Sequence, residues 1–445
     1  MLCEKDCSRL ILPECPSYGR DRQIFNRSIQ KYPAGILYCE NTQDAVQGIR
    51  HAARRNLAVQ VRSGGHNYEG FCVRNGGLVV DTGRMKKLEI SEVRGTVSIG
   101  SGVNNEELYS FLEKHGYPFP GGTCPTVGVA GFTQGGGWGH SARMFGLACD
   151  SLLEARLVDA AGRQLLVSRQ YHPELFWALR GGGGGNFGVV TELSYRLPSR
   201  HGGVTYVEIN YPGAGEVTVS RFFRAWQQWL RREDNRFTPN SRIQNTAEYG
   251  TRIYLRGFYY GSLWTARNSL RPFLEITGAE ATFRSVSFLE ATEIDASLYP
   301  ESERFRFAGR FAHGAFSEGQ INDLLRLIRN RPEGATAVSI ALYALGGKVR
   351  GTAPRDTAFF YRGADFIVGL EAVWEKPSAE AAALSWMRRR FPYLRSVTCG
   401  SYINFPYLGT GDYMRAYYGG NAVRLSWVKR RYDPGNLFRF PQSIR

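Results

Sequence analysis

Three glycine-laced segments constrain this chain more than anything else in it. They read RSGGHN at residues 62–67, GGTCPTVGVAGFTQGGGWGH at 121–140 and GGGGGNFGVV at 181–190. Glycine lets a backbone turn tightly and approach a ligand with no side chain in between. One such run reads as a turn. Three between Arg62 and Val190, two of them carrying a lone nucleophilic side chain (His66 and Cys124), point to a large, flat, phosphate-bearing ligand. RSGGHN presents successive backbone N–H groups as an anion-binding nest. The commoner phosphate motifs are missing. There is no G-x-x-x-x-G-K-[ST], and no G-x-G-x-x-G stands between a strand and a helix with an acid about twenty residues on. H-E-x-x-H is absent as well, so the commonest zinc hydrolase signature is excluded.

Around these loops the chain alternates short strands, helices and turns from Tyr32 to Tyr195. Thr42–Arg55 reads as a helix with Thr42 as its N-cap. LAVQV (57–61) and GLVVD (77–81) read as strands flanking the His66 loop, and TVSIGSG as another. Asn104 caps a helix with Glu106 and Glu107 in its first turn. LEARLVDAAGRQLLVS reads as a hairpin turning at Ala160–Gly162. From about His201 to Cys399 the pattern changes. Long alternating strands (RIYLRGFYYG, AVSIALYAL, DFIVGLEAVW) are interleaved with amphipathic helices at Glu216–Arg232, Ser317–Asn330 and Ser378–Phe391. This predicts an antiparallel sheet covered by helices on one face, with its aromatic- and arginine-rich other face turned to a cleft. Ser401–Arg445 carries too little core for a domain and is expected to pack back on the first half. The fold class is α+β: a two-lobed ligand-binding domain of mixed α/β subdomains (residues 1–200), a substrate domain (201–400) and a returning C-terminal segment (401–445).

The formal net charge of +16 raises the question of nucleic acid. The 56 basic residues are spread along the whole chain, however, and the runs Arg388–Arg390 and Lys429–Arg431 fall on helix-like segments as solvated faces. No nucleic-acid-binding module surrounds them, so no nucleic-acid partner is expected. The eight cysteines (Cys3, Cys7, Cys15, Cys39, Cys72, Cys124, Cys149, Cys399) include no C-x-x-C pair and are expected to be free thiols in a reducing compartment. The opening residues Cys3-Glu4-Lys5-Asp6 form no basic-then-apolar leader, and no apolar run is long enough to span a membrane. The expectation is a cytoplasmic protein without a membrane partner.

These segments together resemble the berberine bridge enzyme-like flavoproteins, within the wider para-cresol methylhydroxylase and vanillyl-alcohol oxidase fold group. The likeness runs from YPAGILYCENTQDAVQGIRHA, through VRSGGHNYEG and GGTCPTVGVAGFTQGGGWG, to YYGGNAVRLSWVKRRYDPGNLF with QSI. It implies FAD held covalently at two places, with His66 bonded to the 8α-methyl group and Cys124 to flavin carbon 6. It assigns cofactor contacts to Arg62, Ser63, Gly64, Gly65 and Asn67 in the first loop. In the second it assigns Gly122, Thr123, Val127, Gly128, Gly131, Gly135, Gly136, Gly137 and Trp138, and further on Gly188, Val190, Tyr432 and Asn436. No metal is implied.

The resemblance also bears on chemistry. A Tyr-x-Asn-Tyr stretch near the carboxy end supplies the base in carbohydrate-oxidising members, and here it reads Tyr402-Ile403-Asn404-Phe405, which assigns the role to Tyr402. A tyrosine base needs neighbours that lower its pKa from about 10. Gly369 stands where plant members place a glutamate or glutamine. Glu371, two residues on and on the same strand face, is a second candidate, with a solvated carboxylate as the alternative. Tyr343 and Trp374 are read as core aromatics. Phe132 replaces a usual histidine and Phe145 a common tyrosine. Trp138 stands where some members have a catalytic tyrosine, which favours a single-base alcohol oxidation. Val127 is the small residue associated with oxidases, so O2 is expected as the acceptor and H2O2 as the product. The resulting expectation is a bicovalent FAD oxidase of a hydroxyl-bearing small molecule, either a sugar, an oligosaccharide or a secondary-metabolite alcohol. The rivals are a C–H oxidase of alkaloid-like metabolites and a coat-type flavoprotein with little turnover.

Overall fold

The computed structural model describes residues 7–231 and 234–445. Cys3 to Asp6, and the Arg232 end of one expected helix, lie outside them.

Two small sheets carry the glycine loops. The first holds β1 (Leu10–Ile11), β2 (Gly35–Tyr38), β3 (Val59–Arg62) and β4 (Leu78–Asp81) in the order β1-β2-β4-β3, with β2, β4 and β3 parallel. Their apolar runs are buried on both faces, as parallel strands require. The helix Thr42–Arg54 packs on this sheet through Val46, Ile49 and Ala52. Its N-cap is Asn41 rather than Thr42. Asn41 is extended, and its side chain accepts from Asp44 N at 3.1 Å while the Asp44 carboxylate accepts from Asn41 N.

The second sheet is antiparallel. It contains β5 (Leu88–Ser91), β6 (Thr96–Gly100), β7 (Leu152–Val158), β8 (Gln164–Ser168) and β9 (Val189–Arg196) in the order β5-β6-β9-β7-β8. The β7–β8 hairpin turns where the sequence places it, with Val158 opposite Gln164. Asn104 caps the helix Asn105–Glu113 through a reciprocal pair with Glu107, as expected.

The third sheet has eight antiparallel strands: β10 (Val204–Tyr211), β11 (Asn240–Thr246), β12 (Gly250–Tyr259), β13 (Glu280–Val286), β14 (Arg304–Ala312), β15 (Ala335–Ala344), β16 (Phe366–Trp374) and β17 (Gly400–Ser401). Their order is β13-β10-β12-β11-β15-β16-β14-β17. Helices Glu216–Leu230, Glu318–Ile328 and Glu380–Ser396 cover one face, so that Trp226, Leu324 and Trp386 close a core over Ile209, Ile243, Leu255 and Leu370. The last helix runs past the expected Phe391 with Pro392 inside it, because Phe391 and Leu394 bury their side chains against the sheet and hold the final turn. Trp374 lies in this core, as read from the sequence.

One expectation fails near the amino end. Cys7 and Cys15 form a disulfide, their Cα atoms 5.9 Å apart, where free thiols were expected. A turn in which Cys15 N donates to Leu12 O brings the two together, so the cysteine pattern loses its force as an argument for a reducing compartment. Among the described residues, Cys39, Cys72, Cys124, Cys149 and Cys399 are free. No described helix is long and apolar enough to cross a membrane, and no described cluster of His, Cys, Asp and Glu could hold a metal ion.

The carboxy-terminal segment returns to the first half through a buried cation. Lys429 Nζ donates to Asn186 O, Phe438 O and the Asp433 carboxylate at 2.6–2.8 Å, Leu437 O accepts from Val59 N, and Ile444 N donates to Asn186 Oδ1.

Candidate functional site

A cavity of about 550 Å³ lies between the glycine loops and the face of the third sheet opposite helices Glu216–Leu230, Glu318–Ile328 and Glu380–Ser396. The first loop leaves β3 and turns at Gly65, whose φ of +71° suits glycine. Asn67 Oδ1 fixes the following turn by accepting from Glu69 N and Phe71 N. Gly64 is placed by contact with the second loop, since a Cβ there would overlap the backbone nitrogen of Gly128. The loop is also tied to the third sheet and to the carboxy-terminal segment. Glu69 pairs with Arg306 of β14 and accepts from Leu408 N at 3.0 Å.

His66 and Cys124 reach the same wall of the cavity from positions 58 residues apart in the chain. Thr126 lies between them, its hydroxyl 2.8 Å from His66 Nε2 and 3.7 Å from Cys124 Sγ. Phe25 stacks on the imidazole at a centroid distance of 4.3 Å. Burial lowers the His66 pKa to about 4, so the ring is neutral and keeps a nitrogen lone pair at neutral pH. Burial pushes the Cys124 thiol up, and its loop is pinned by Asn105 Nδ2 donating to Cys124 O and Tyr109 OH donating to Gly122 O.

Most of the expected cofactor contacts line the cavity: Ser63, Gly64, Gly65, His66 and Asn67; Gly122, Thr123, Cys124, Val127, Gly128, Gly131 and Trp138; and Val190. Others stand behind it. Arg62 is buried in an ion pair with Asp81 and donates to Asp21 O. Gly135 makes room for the Asn404 amide, Gly136 for Phe359 and Gly137 for Phe132 and Ala148, while Gly188 packs on Val158 O. Tyr432 meets His172, and Asn436, with φ of +48°, closes a turn onto Asp433. These residues shape the loops from outside.

The expected base lies just behind the lining residues Trp138, Asn404 and Phe405. Tyr402 is buried outside the cavity lining. Its hydroxyl accepts from the backbone N–H groups of Gly137 and Trp138 and from Asn404 Nδ2, all at 3.1 Å, and burial raises its pKa to about 12. Pairing of β17 with β14 and a turn from Tyr402 O to Phe405 N bring Asn404 and Phe405 to the cavity instead.

Glu371 faces the cavity. Its Oε2 accepts from both Arg242 and Ser339 Oγ, and its Oε1 has no partner among the described residues. Tyr343, read as a core aromatic, packs against Trp138 but also lines the cavity, its hydroxyl accepting from Arg242 Nη2 at 3.4 Å. Gly369 is explained by its neighbour: a Cβ there would run into the Phe307 ring. Sequence reasoning missed Arg242 and Tyr254. Their signal is the polar alternation of β11 and β12, where Ile243, Ile253 and Leu255 face the helices.

Comparison with known proteins decides the family. Residues 33–168 match the family model for the FAD binding domain, and residues 401–445 match the one described as berberine and berberine like. A FAD-linked oxidoreductase of Bacillus subtilis, YgaK, is 32% identical over 444 residues, covering 98% of this chain and 96% of that protein. The chain belongs to the berberine bridge enzyme-like FAD-linked oxidoreductases. A xylooligosaccharide oxidase of Thermothelomyces thermophilus is 27% identical, covering 95% of this chain and 89% of that protein. The solved BBE-like 1 of Physcomitrella patens superposes with a TM-score of 0.90 at 24% identity, covering 98% and 96% of the two chains. The protein is therefore an FAD-binding oxidoreductase with the berberine bridge enzyme-like fold.

The cavity itself fits a flat ring system. Gly131 sits inside the helix Val129–Gln134, where glycine is costly. A Cβ there would meet nothing within 4 Å, so its missing side chain is cavity volume. Backbone edges of Gly64–Asn67 and Gly183–Asn186 complete the cradle.

Proposed function

We propose that this berberine bridge enzyme-like protein is a bicovalent FAD oxidase of hydroxyl-bearing substrates. The observation that carries the reading is the convergence of His66 and Cys124 on one cavity wall, joined by Thr126, opposite a polar sheet face. His66 and Cys124 hold the cofactor. Thr126 engages Nε2 of the imidazole and leaves Nδ1 without a partner among the described residues, so one nitrogen is positioned and the other is free to bond. FAD held there would supply the two-electron acceptor for the substrate carbon, with O2 as the terminal oxidant and H2O2 as the product.

The proton goes to the chain. Tyr402 stands behind the wall, so the role passes to Glu371, whose Oε1 is open while Arg242 and Ser339 hold Oε2. A carboxylate oriented in this way can accept the hydroxyl proton as the carbon is oxidised. Phe405, Phe307 and Tyr68 form a contiguous aromatic wall beside it, which orients the substrate and excludes water. The xylooligosaccharide oxidase among the relatives supports a carbohydrate or similar polyol as the substrate type.

Acid denaturation of the purified holoprotein, followed by intact mass and peptide mapping, tests the attachment. FAD mass retained on the chain, with yellow peptides at both His66 and Cys124, is the expected result. Release of all flavin overturns it.

A further inference from the structure

The outer half of the cavity is built from charge that the proposed oxidation chemistry does not use. On the cavity face of the third sheet, β11 presents Asn240, Arg242 and Gln244, and β12 presents Arg252, Tyr254 and Arg256. Register places Gln244 opposite Arg252, Arg242 opposite Tyr254, and Asn240 opposite Arg256. Three guanidinium groups thus lie within two adjacent strands. Arg242 is taken by Glu371, and Arg256 donates to Glu208 Oε1 at 2.9 and 3.1 Å. Arg252 is different. It is exposed at the mouth, its Nε donates only to the neutral Gln244 amide oxygen at 3.0 Å, and no carboxylate among the described residues is within ion-pair distance.

Two buried polar atoms on the same face are also unsatisfied. Arg242 Nε and Asn240 Oδ1 have no hydrogen-bond partner among the described residues. A buried donor or acceptor left unpaired is costly, and both side chains line the cavity, so a small shift that brought a ligand's polar groups to them would be favoured. The remaining carboxylates lie on other elements. Asp295, 3.3 Å from His140, and Glu303 also line the cavity, and burial together with nearby Glu371 raises the Glu303 pKa, which favours its neutral form.

We propose that β11 and β12 form an oxyanion-recognition subsite, so that the preferred substrate is a polyhydroxylated molecule carrying a carboxylate or phosphate group. The anion meets Arg252, while Arg256, four residues along the strand, stays paired with Glu208. Hydroxyls meet Asn240, Gln244 and Tyr254, and the carbon to be oxidised extends past Glu371. This deepens the alcohol-oxidation reading and rests on it for the direction of the substrate. Guanidinium groups suit the task because their planar donors match an oxyanion, and bonds between charged partners are the stronger ones.

The test reads binding apart from turnover. Holoenzyme is titrated calorimetrically with D-glucuronate, D-galacturonate and D-glucose 6-phosphate, and with neutral D-glucose and D-galactose. At least one charged sugar is expected to bind about tenfold or more tightly than its neutral parent at low salt. The gap should narrow as salt rises from about 50 to about 500 mM, since the screening length shortens. The uronate and phosphate arms distinguish the two oxyanions. Arg252→Gln, an exposed and separately packed change, should abolish the preference while leaving the flavin spectrum and Tm in place. Equal affinity for charged and neutral sugars, or no binding of any charged sugar, overturns the subsite. Flavin reduction by neutral sugars with no charge preference would overturn the subsite and leave alcohol oxidation standing. A salt-sensitive preference with no flavin reduction by any alcohol would do the reverse.

Discussion

The two walls of the cavity are made in opposite ways. The loop wall is nearly all backbone. Gly64 lies against Gly128, Gly65 and Gly185 take left-handed conformations, and Gly131 leaves a hollow. The sheet wall is nearly all side chain, an interlocked set of Arg242, Glu371, Ser339, Tyr343, Arg256 and Glu208 standing on strands of ordinary geometry. A cofactor common to a family can be held by backbone, which tolerates almost no substitution. On the function proposed above, substrate choice sits on the wall where a side chain can change without moving the main chain.

The largest effect should come from breaking the loop wall. Gly64→Ala puts a Cβ into the Gly128 backbone, and backbone on both sides cannot yield. FAD incorporation should be lost, read as the 450 nm band per chain at about zero, relative to wild type. Retained flavin would show that the loops are less tightly packed than the contact implies. Breaking the sheet wall should leave the cofactor in place. Glu371→Gln keeps the donors of Arg242 and Ser339 occupied but removes the proton acceptor. Anaerobic flavin reduction should slow by roughly 10²–10⁴-fold with flavin content unchanged. A reduction rate within threefold of wild type would return the role to another group.

A smaller effect separates the apoprotein from the loaded enzyme. His66 is neutral in the fold down to about pH 4, whereas unfolded imidazole takes a proton near pH 6.5. Between those values the unfolded chain binds more protons, so apoprotein stability should fall as pH drops from about 6.5 to about 4. His66→Asn should flatten that part of the Tm profile, and an unchanged slope would assign it to other groups. The smallest effect lies away from both walls. Asn41→Ala removes the N-cap of Thr42–Arg54 and should cost about 1 kcal/mol in denaturant unfolding, with flavin content unaltered.

The same division governs what can be read from the sequence. The loops were legible because special backbone angles and close approaches leave glycine as the residue that fits, and because His66 and Cys124 stand out against them. The β7–β8 hairpin and the Asn104 cap were legible from local chemistry alone. Tyr402 was not, since which residue of Tyr402–Phe405 meets the cavity depends on a two-residue pairing of β17 with β14. The alternation on β11 and β12 identifies a polar face, but it cannot say that Arg242 would reach Glu371, 129 residues away, or that Arg252 would be left without a carboxylate among the described residues. The Cys7–Cys15 bridge was missed because a spacing of eight carries no motif, and only the turn at Leu12–Cys15 closes it.

The return of residues 429–444 to the first half has a consequence for how the protein is made. Asn186, at the rim of the third glycine loop, is held by Lys429 through its carbonyl and by Ile444 through its side chain, and Phe440 closes the cavity beside Phe71. A ribosome must therefore release residue 444 before the cavity has all its parts. Completion of the cavity thus waits on residues 429–444, and a chain stalled before residue 429 would display its third glycine loop without the Lys429 and Ile444 contacts to Asn186.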